Sequence, residues 1–315
     1  MVKIATLTMN PTIDVAYEVE RIVPTHKNRT DSEHYDPGGG GINVARVFGR
    51  LGGIAECYYL AGGPAGVLLD SLLNLRCFER HPIRISGSTR INANIIEHTT
   101  GLEYRFVPPG PTVTAEECET CLAALRQLDC EYLVLSGSLP PGTPRDFYAT
   151  ITRMVAEQGI RTVLDSSREP LREGLAGGGI YLVKPSQGEL SALAGRELRD
   201  HADIRDAARA IIKAGQAEIV AVTMGDEGGM LVSASDSFFL PAIRVEAKSA
   251  TGAGDSFLAA MLYRLASGDA PREAFRYGMA AGSAAVLSPG TDLCQPADIE
   301  RLYARYLEAP GVDGV

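Results

Sequence analysis

Residues 249–255, Ser-Ala-Thr-Gly-Ala-Gly-Asp, lead directly into the apolar stretch 256–265, so a glycine-rich loop stands where a helix begins. Helix starts carry unpaired amides and positive dipole character, and Gly252 and Gly254 let a charged group approach the backbone closely. Such a loop can hold an anion. Asp255 ends it, and a carboxylate there would repel a bound phosphate unless it accepts a proton from a hydroxyl attacking the phosphorus. The chemistry this pattern supports is phosphoryl transfer with Asp255 as base. Taken alone, the same residues also fit a turn followed by an Asp helix cap.

A second glycine-rich segment, Asp36-Pro-Gly-Gly-Gly-Gly-Ile-Asn-Val-Ala-Arg46, stands before the helical pattern Ile42, Ala45, Phe48, Leu51, closed by Gly52-Gly53. Four consecutive glycines are entropically costly, and close approach of the backbone to a ligand explains them better than a bare loop. Their spacing is not the G-x-G-x-x-G of a dinucleotide fold, and no Gly-Lys-Ser/Thr ending marks a P-loop. A nicotinamide-dependent oxidoreductase would therefore rest on a parallel sheet and glycine loops alone.

These loops need a frame. Apolar runs at residues 3–8, 132–136, 162–165, 181–183 and 219–223 end in small, polar or charged residues, and helical patterns at 145–158 and 204–214 precede the third and fifth. Strands buried on both faces and spaced by helices predict a mainly parallel sheet, with ligand-binding groups at the strands' carboxyl ends. Residues 89–97 alternate differently: Arg90, Asn92 and Asn94 share one face, Ile91, Ala93 and Ile95 the other. The run 103–107 alternates again, which predicts a hairpin presenting Arg90 and Arg105 on one face. Its apolar face needs a cover, and packing against a copy of itself would supply one.

A chain of 315 residues can build one large α/β domain or two smaller ones. Hydrophobic residues at 45% and charged residues at 22% place it in the globular range, with residues 309–315 as a loose tail. A formal charge of −9 argues against general nucleic-acid or anionic-membrane binding, so an anionic ligand must find local cations. With no basic-then-apolar start and no long apolar run, the expectation is a soluble cytoplasmic protein. Cysteines at 57, 77, 118, 121, 130 and 294 show no repeated metal-ligand spacing. Cys118-Glu-Thr-Cys121 reads as two reduced thiols near one helix face.

Six segments span almost the whole chain in order: Asn10-Pro-x-x-Asp14, Gly38-Gly-Gly-Gly-Ile-Asn-Val-Ala-Arg46, Ser136-Gly-Ser-Leu-Pro-Pro-Gly142, Lys184-Pro-Ser-Gln-Gly-Glu189, Thr223-Met-Gly-Asp-Glu-Gly228 and Thr251-Gly-Ala-Gly-Asp255. Through them the chain resembles the PfkB, or ribokinase-like, family of sugar kinases, and within it the 6-phosphofructokinases. The resemblance implies a ribokinase-like three-layer α/β/α sandwich with a mainly parallel sheet and a small β-sheet lid. One kinase domain would cover residues 1–308, with the lid from about 12–36 and 86–108 and a flexible tail at 309–315. The implied reaction is ATP-dependent phosphorylation of fructose 6-phosphate at its C1 hydroxyl, with Mg²⁺ on the ATP oxygens. Asp255 would be the base, and the amides of Gly252, Ala253 and Gly254 would stabilise the transferring phosphoryl group. Tagatose-6-phosphate kinase and 1-phosphofructokinase are the alternatives within the family. A non-catalytic sugar-phosphate or nucleotide sensor is the alternative outside it.

The resemblance also places residues. Asp14 and Asn43 would bind furanose hydroxyls, Gly39 and Gly40 would bring amides close, and Ser138 would line the same cleft. Lys27, Arg90 and Arg105 match positions used around the sugar phosphate. Gly40 leaves room where kinases of other ketose phosphates usually carry lysine. At the nucleotide end, Lys184 would lie near the triphosphate, Thr223, Gly225 and Gly228 would meet phosphate and ribose, and Ser283 would lie beside adenine. Glu189 would hold Mg²⁺ through water, while Ser186 replaces the asparagine of the family's motif. Ser249 replaces the first acid of Asp-Thr-x-Gly-Ala-Gly-Asp, so a monovalent cation such as K⁺ finds less support in this loop. A homodimer through the β lid completes the expectation.

Overall fold

The computed structural model describes residues 2–74, 78–288, 292–308 and 312–313. Its strands in chain order are β1 (Lys3–Thr8), β2 (Thr12–Val19), β3 (Ser32–Gly38), β4 (Ile54–Ala61), β5 (Glu79–Arg84), β6 (Arg90–Glu97) and β7 (Leu102–Phe106). They continue with β8 (Tyr132–Ser136), β9 (Arg161–Asp165), β10 (Ile180–Val183), β11 (Ala217–Thr223), β12 (Gly228–Ser233), β13 (Ser237–Pro241) and β14 (Val312–Asp313). The helices are α1 (Gly40–Arg50), α2 (Gly63–Leu73), α3 (Ala115–Leu125), α4 (Phe147–Ala156), α5 (Arg168–Ala176), α6 (Gln187–Ala194), α7 (His201–Lys213), α8 (Ala253–Ala266), α9 (Pro271–Ala285) and α10 (Pro296–Glu308).

Strands apolar at nearly every position form the centre of the main sheet, because both of its faces are covered. All five residues of β8 are buried, as are five of six in β1. The order is β14-β13-β12-β11-β10-β9-β8-β1-β4-β5, parallel from β5 to β11 and antiparallel beyond. One core packs α1, α2, α8, α9 and α10 on one face, and a second core packs α3, α4, α5 and α7 on the other, giving three layers. The mainly parallel sheet is therefore as expected, and its antiparallel edge comes from the turns that follow β11 and β12.

A second sheet, β3-β2-β6-β7, stands apart from the first. The hairpin expected at 89–107 is β6 and β7, with Asn94 opposite Arg105 and Ala93 opposite Phe106. Strand β2 runs parallel to β6 and antiparallel to β3, which places Asp14 beside both Asn92 and Asp36. Arg90, Asn92, Asn94 and Arg105 consequently share the polar face. Ile13, Val15, Tyr35, Ile91, Ala93 and Phe106 share the other, where α2 covers Ile13 and Val15 but Tyr35, Ile91 and Phe106 stay exposed.

Residues 309–315 are not wholly a loose tail. Val312 and Asp313 pair with Phe239 and Phe238 of β13, so the chain end satisfies the backbone of an edge strand; residues 309–311 and 314–315 lie outside the described residues. Cys118 and Cys121 are both buried on α3, whose start is fixed by a reciprocal Thr114–Glu117 capping box; Cys77 lies outside the described residues. Among the described residues no helix is long and apolar enough to cross a membrane.

Candidate active site

The loop at 249–255 opens α8 as its sequence predicts, with Gly252 as the helix cap at φ 76°, a conformation that favours glycine. Asp255 does not cap this helix. Its Oδ2 instead accepts a 2.8 Å hydrogen bond from Asn43 Nδ2 on α1, bringing the two glycine-rich helix starts together across 212 residues. Its Oδ1 faces Gly40, where an added Cβ would lie 3.1 Å away. One carboxylate oxygen is thus held and the other faces the glycine loop. Among the three amides of 252–254, that of Ala253 donates to the Ala250 carbonyl at 3.4 Å, a long bond that a stronger acceptor can displace.

Burial pushes the Asp255 carboxyl up to about 6, and repulsion from Asp165 adds to this against Asn43, Lys184 and Arg46. A carboxylate tuned toward neutrality is suited to general base work. Asp165, the last residue of β9, pairs with Lys184 at 3.0 Å in a buried contact. Burial would depress the Lys184 amine, but Asp165 outweighs it and holds the amine charged. Burial likewise raises Asp165 against the pull of Lys184. Lys184 Nζ lies 3.2 Å from where a Cβ on Gly254 would sit, so the cation lies beside the anion loop.

On one side of this loop a cavity of about 780 Å³ is lined by Ser186, Thr223, Gly225, Gly228, Gly254 and Ser283 among others. The expected nucleotide residues other than Lys184 and Glu189 thus converge on one space. Glu189 takes part in a capping box at the start of α6: Ser186 N and Oγ donate to its Oε2 at 2.8 and 2.9 Å, and Ser186 Oγ accepts from Glu189 N at 3.2 Å. The serine that replaces asparagine is therefore bound to Glu189 itself.

On the other side, the polar face of the small sheet meets the glycine loop. Asp14 accepts from Asn92 Nδ2 at 2.8 Å, and burial raises its carboxyl against Asn92, Arg105 and Arg90. Gly38 is needed beside it, because a Cβ there would strike Asp14 Oδ2 at 2.1 Å. Arg90 donates to the carbonyls of Asn10 at 2.9 Å and Pro108 at 3.0 Å, and Asn10 Nδ2 donates to Ser138 Oγ at 3.1 Å. Arg90 and Ser138 line a common cavity of about 500 Å³.

Lys27 is exposed in the connection between β2 and β3. One expectation changes: the space beside Gly40 is filled. A Cβ at position 40 would lie 2.1 Å from Ser136 Oγ, so a side chain there must first turn that hydroxyl away. Sequence reasoning assigned no role to Asp165, Ser136 or Arg46. Asp165 was discoverable as the acidic end of a parallel strand, where such folds gather ligand groups. At the opposite end of the sheet, Glu56, Glu79 and His81 bring ligand atoms within 4.8 Å, but Lys3 already pairs with Glu56 at 2.8 Å.

Residues 5–298 match the model of the pfkB family carbohydrate kinases. The chain belongs to this family. It is 40% identical over 305 residues to the ATP-dependent 6-phosphofructokinase isozyme 2 of Escherichia coli, covering 96% of this chain and 99% of that one. Among solved structures it resembles phosphofructokinase-2 from Escherichia coli in complex with fructose-6-phosphate, with a TM-score of 0.91, 39% identity, and 98% and 100% of the two chains covered. The same enzyme in complex with potassium gives a TM-score of 0.93 at 38% identity and the same coverage. This pfkB chain is an ATP-dependent sugar-phosphate kinase with a ribokinase-like fold.

Proposed function

We propose that this kinase transfers the γ-phosphoryl group of ATP to the C1 hydroxyl of fructose 6-phosphate, giving fructose 1,6-bisphosphate and ADP. The observation that carries the reading is the setting of the Asp255 carboxylate, with Oδ2 held by Asn43 and Oδ1 turned to the glycine loop. In this reading Oδ1 takes the proton from the C1 hydroxyl as its oxygen attacks the phosphorus. The amides at the start of α8 and the Lys184 ammonium stabilise the charge that gathers on the transferring group. Asp14 and Asn43 orient sugar hydroxyls, Ser138 lines the cleft, and Arg90 with Arg105 takes the phosphate. Thr223, Gly225, Gly228 and Ser283 receive the nucleotide.

Glu189 and the Ser186 hydroxyl form an all-oxygen set suited to a hard, hydrated cation, so Mg²⁺ fits there, held through water by Glu189, where it would neutralise phosphate charge. K⁺ near Ser249 has less support, since a neutral serine stands there in place of the first acid of the family's motif. We further read the exposed apolar face of the small sheet as a lid-to-lid contact of a homodimer.

Steady-state kinetics over a panel of ketose phosphates tests the substrate. Fructose 6-phosphate should give the highest kcat/KM. Tagatose 6-phosphate keeps both the phosphate and the attacking hydroxyl in place, so discrimination against it should be smaller than against fructose 1-phosphate. A clear preference for fructose 1-phosphate would overturn the orientation.

A further inference from the structure

The Asp255 carboxylate is reached by a chain of contacts that starts inside α1. Arg46 is 2% exposed, and its Nη1 donates to Asn43 Oδ1 at 3.1 Å and to the Pro37 carbonyl at 3.4 Å. Asn43 in turn donates from Nδ2 to Asp255 Oδ2. A carboxamide has one accepting and one donating end, whereas a guanidinium can only donate. Arg46 therefore requires the amide oxygen, which leaves the amide nitrogen for Asp255. Rotated by half a turn, the same amide would set its oxygen against the carboxylate. A buried cation is costly unless it is paired and hydrogen-bonded. The three-residue spacing from Asn43 on one helix places both on one face, and the bond to Pro37 ties them to the entry of the glycine loop.

We propose that Arg46 is a positioning residue for the reaction, acting through Asn43 to fix which oxygen of Asp255 is held and which receives the proton. The inference rests on Asp255 being the base. The charged groups facing Asp255 are Arg46 from α1, Lys184 after β10 and Asp165 at the end of β9, with Glu189 of α6 facing the latter two. Of these, Arg46 alone reaches Asp255 through the amide that the base accepts from.

Three variants of the full-length enzyme separate charge from hydrogen bonding. Arg46→Met removes both, Arg46→Gln keeps a donor without charge, and Arg46→Lys keeps charge without the planar fork. With Met, kcat should fall about tenfold to a hundredfold, and the acid limb of kcat should move toward higher pH, while the KM for ATP changes by less than about threefold. Gln should share the shifted limb with a smaller fall in kcat, and Lys should leave the limb in place. Should the Met variant fail to fold, by circular dichroism and thermal melting, the Gln and Lys variants carry the test. Folded Met or Gln variants with an unmoved limb, a loss equal at every pH, or a Lys variant whose limb moves as far as that of Gln would overturn the proposal. Asp255→Asn distinguishes the levels. If it is inactive while the Arg46 variants keep the wild-type limb, only the role of Arg46 falls; if it turns over normally, the reading of the base falls as well.

Discussion

Asp255 carries opposing demands. Burial and Asp165 raise its proton affinity, while Asn43, Lys184 and Arg46 bring it back toward use as a base. Asp255→Asn keeps the volume and removes the acceptor, so kcat should fall by roughly 10² to 10⁴ with ATP still bound, as measured by turnover and equilibrium binding. Near-normal turnover would remove the assignment. The same residue sets a pH dependence. Only the ionised carboxylate accepts the proton, so kcat should decline as pH falls through about 6. Stability runs the other way. An unfolded chain ionises this carboxyl near 3.8, before the folded state does at about 6, so stability is lost as pH rises through that window and stays lower above it. Thermal melting should therefore find Asp255→Asn more stable than the parent at pH 8, by a few degrees, with the difference closing below pH 4. Equal melting temperatures at pH 8 would contradict a strained, buried carboxylate.

The small sheet turns strand alternation into a division of labour. Its register sets Asp14, Asn92 and Asp36 in one row and Asn94 with Arg105 in the next, all on one face. Arg105→Ala should raise the KM for the sugar phosphate roughly tenfold to a hundredfold, the equivalent of a charge-assisted contact of about 1.5 to 3 kcal/mol, with little change in the KM for ATP. Equal effects on both substrates would place Arg105 elsewhere. Arg90→Ala should do more damage, because Arg90 also bonds the carbonyls of Asn10 and Pro108 and so ties the sheet to the core loops. Gly38→Ala tests the same element from the backbone. Its methyl would displace Asp14, and the sugar KM should rise while the protein remains folded.

For the whole molecule, the exposed row of Tyr35 and Phe106, continued by Ile91, is the outer face of the same sheet. Covering it with a second copy would remove this apolar surface from water, at about 25 cal/mol per Å². Phe106→Glu should then shift the protein toward monomer in analytical ultracentrifugation, while the nucleotide cavity, built from the main sheet, keeps its affinity for ATP. An unchanged dimer would move the contact away from the lid.

Much of this molecule was legible in its sequence. The amphipathic run before Arg50, the glycine loop before Asp255 and the alternation of Arg90, Asn92 and Asn94 are local patterns. Helix and strand periods fix which neighbouring side chains share a face without reference to the rest of the chain. What only the tertiary structure decided depends on strand order and on residues far apart. Asp165 meets Lys184 because β9 and β10 lie side by side, and Asn43 meets Asp255 because α1 and α8 pack together in one core on the same face of the main sheet. The same packing filled the space beside Gly40 with Ser136 from the end of β8. No local period encodes such meetings, since they arise from the packing of whole elements, and they set the proton affinity of the base and its one held oxygen.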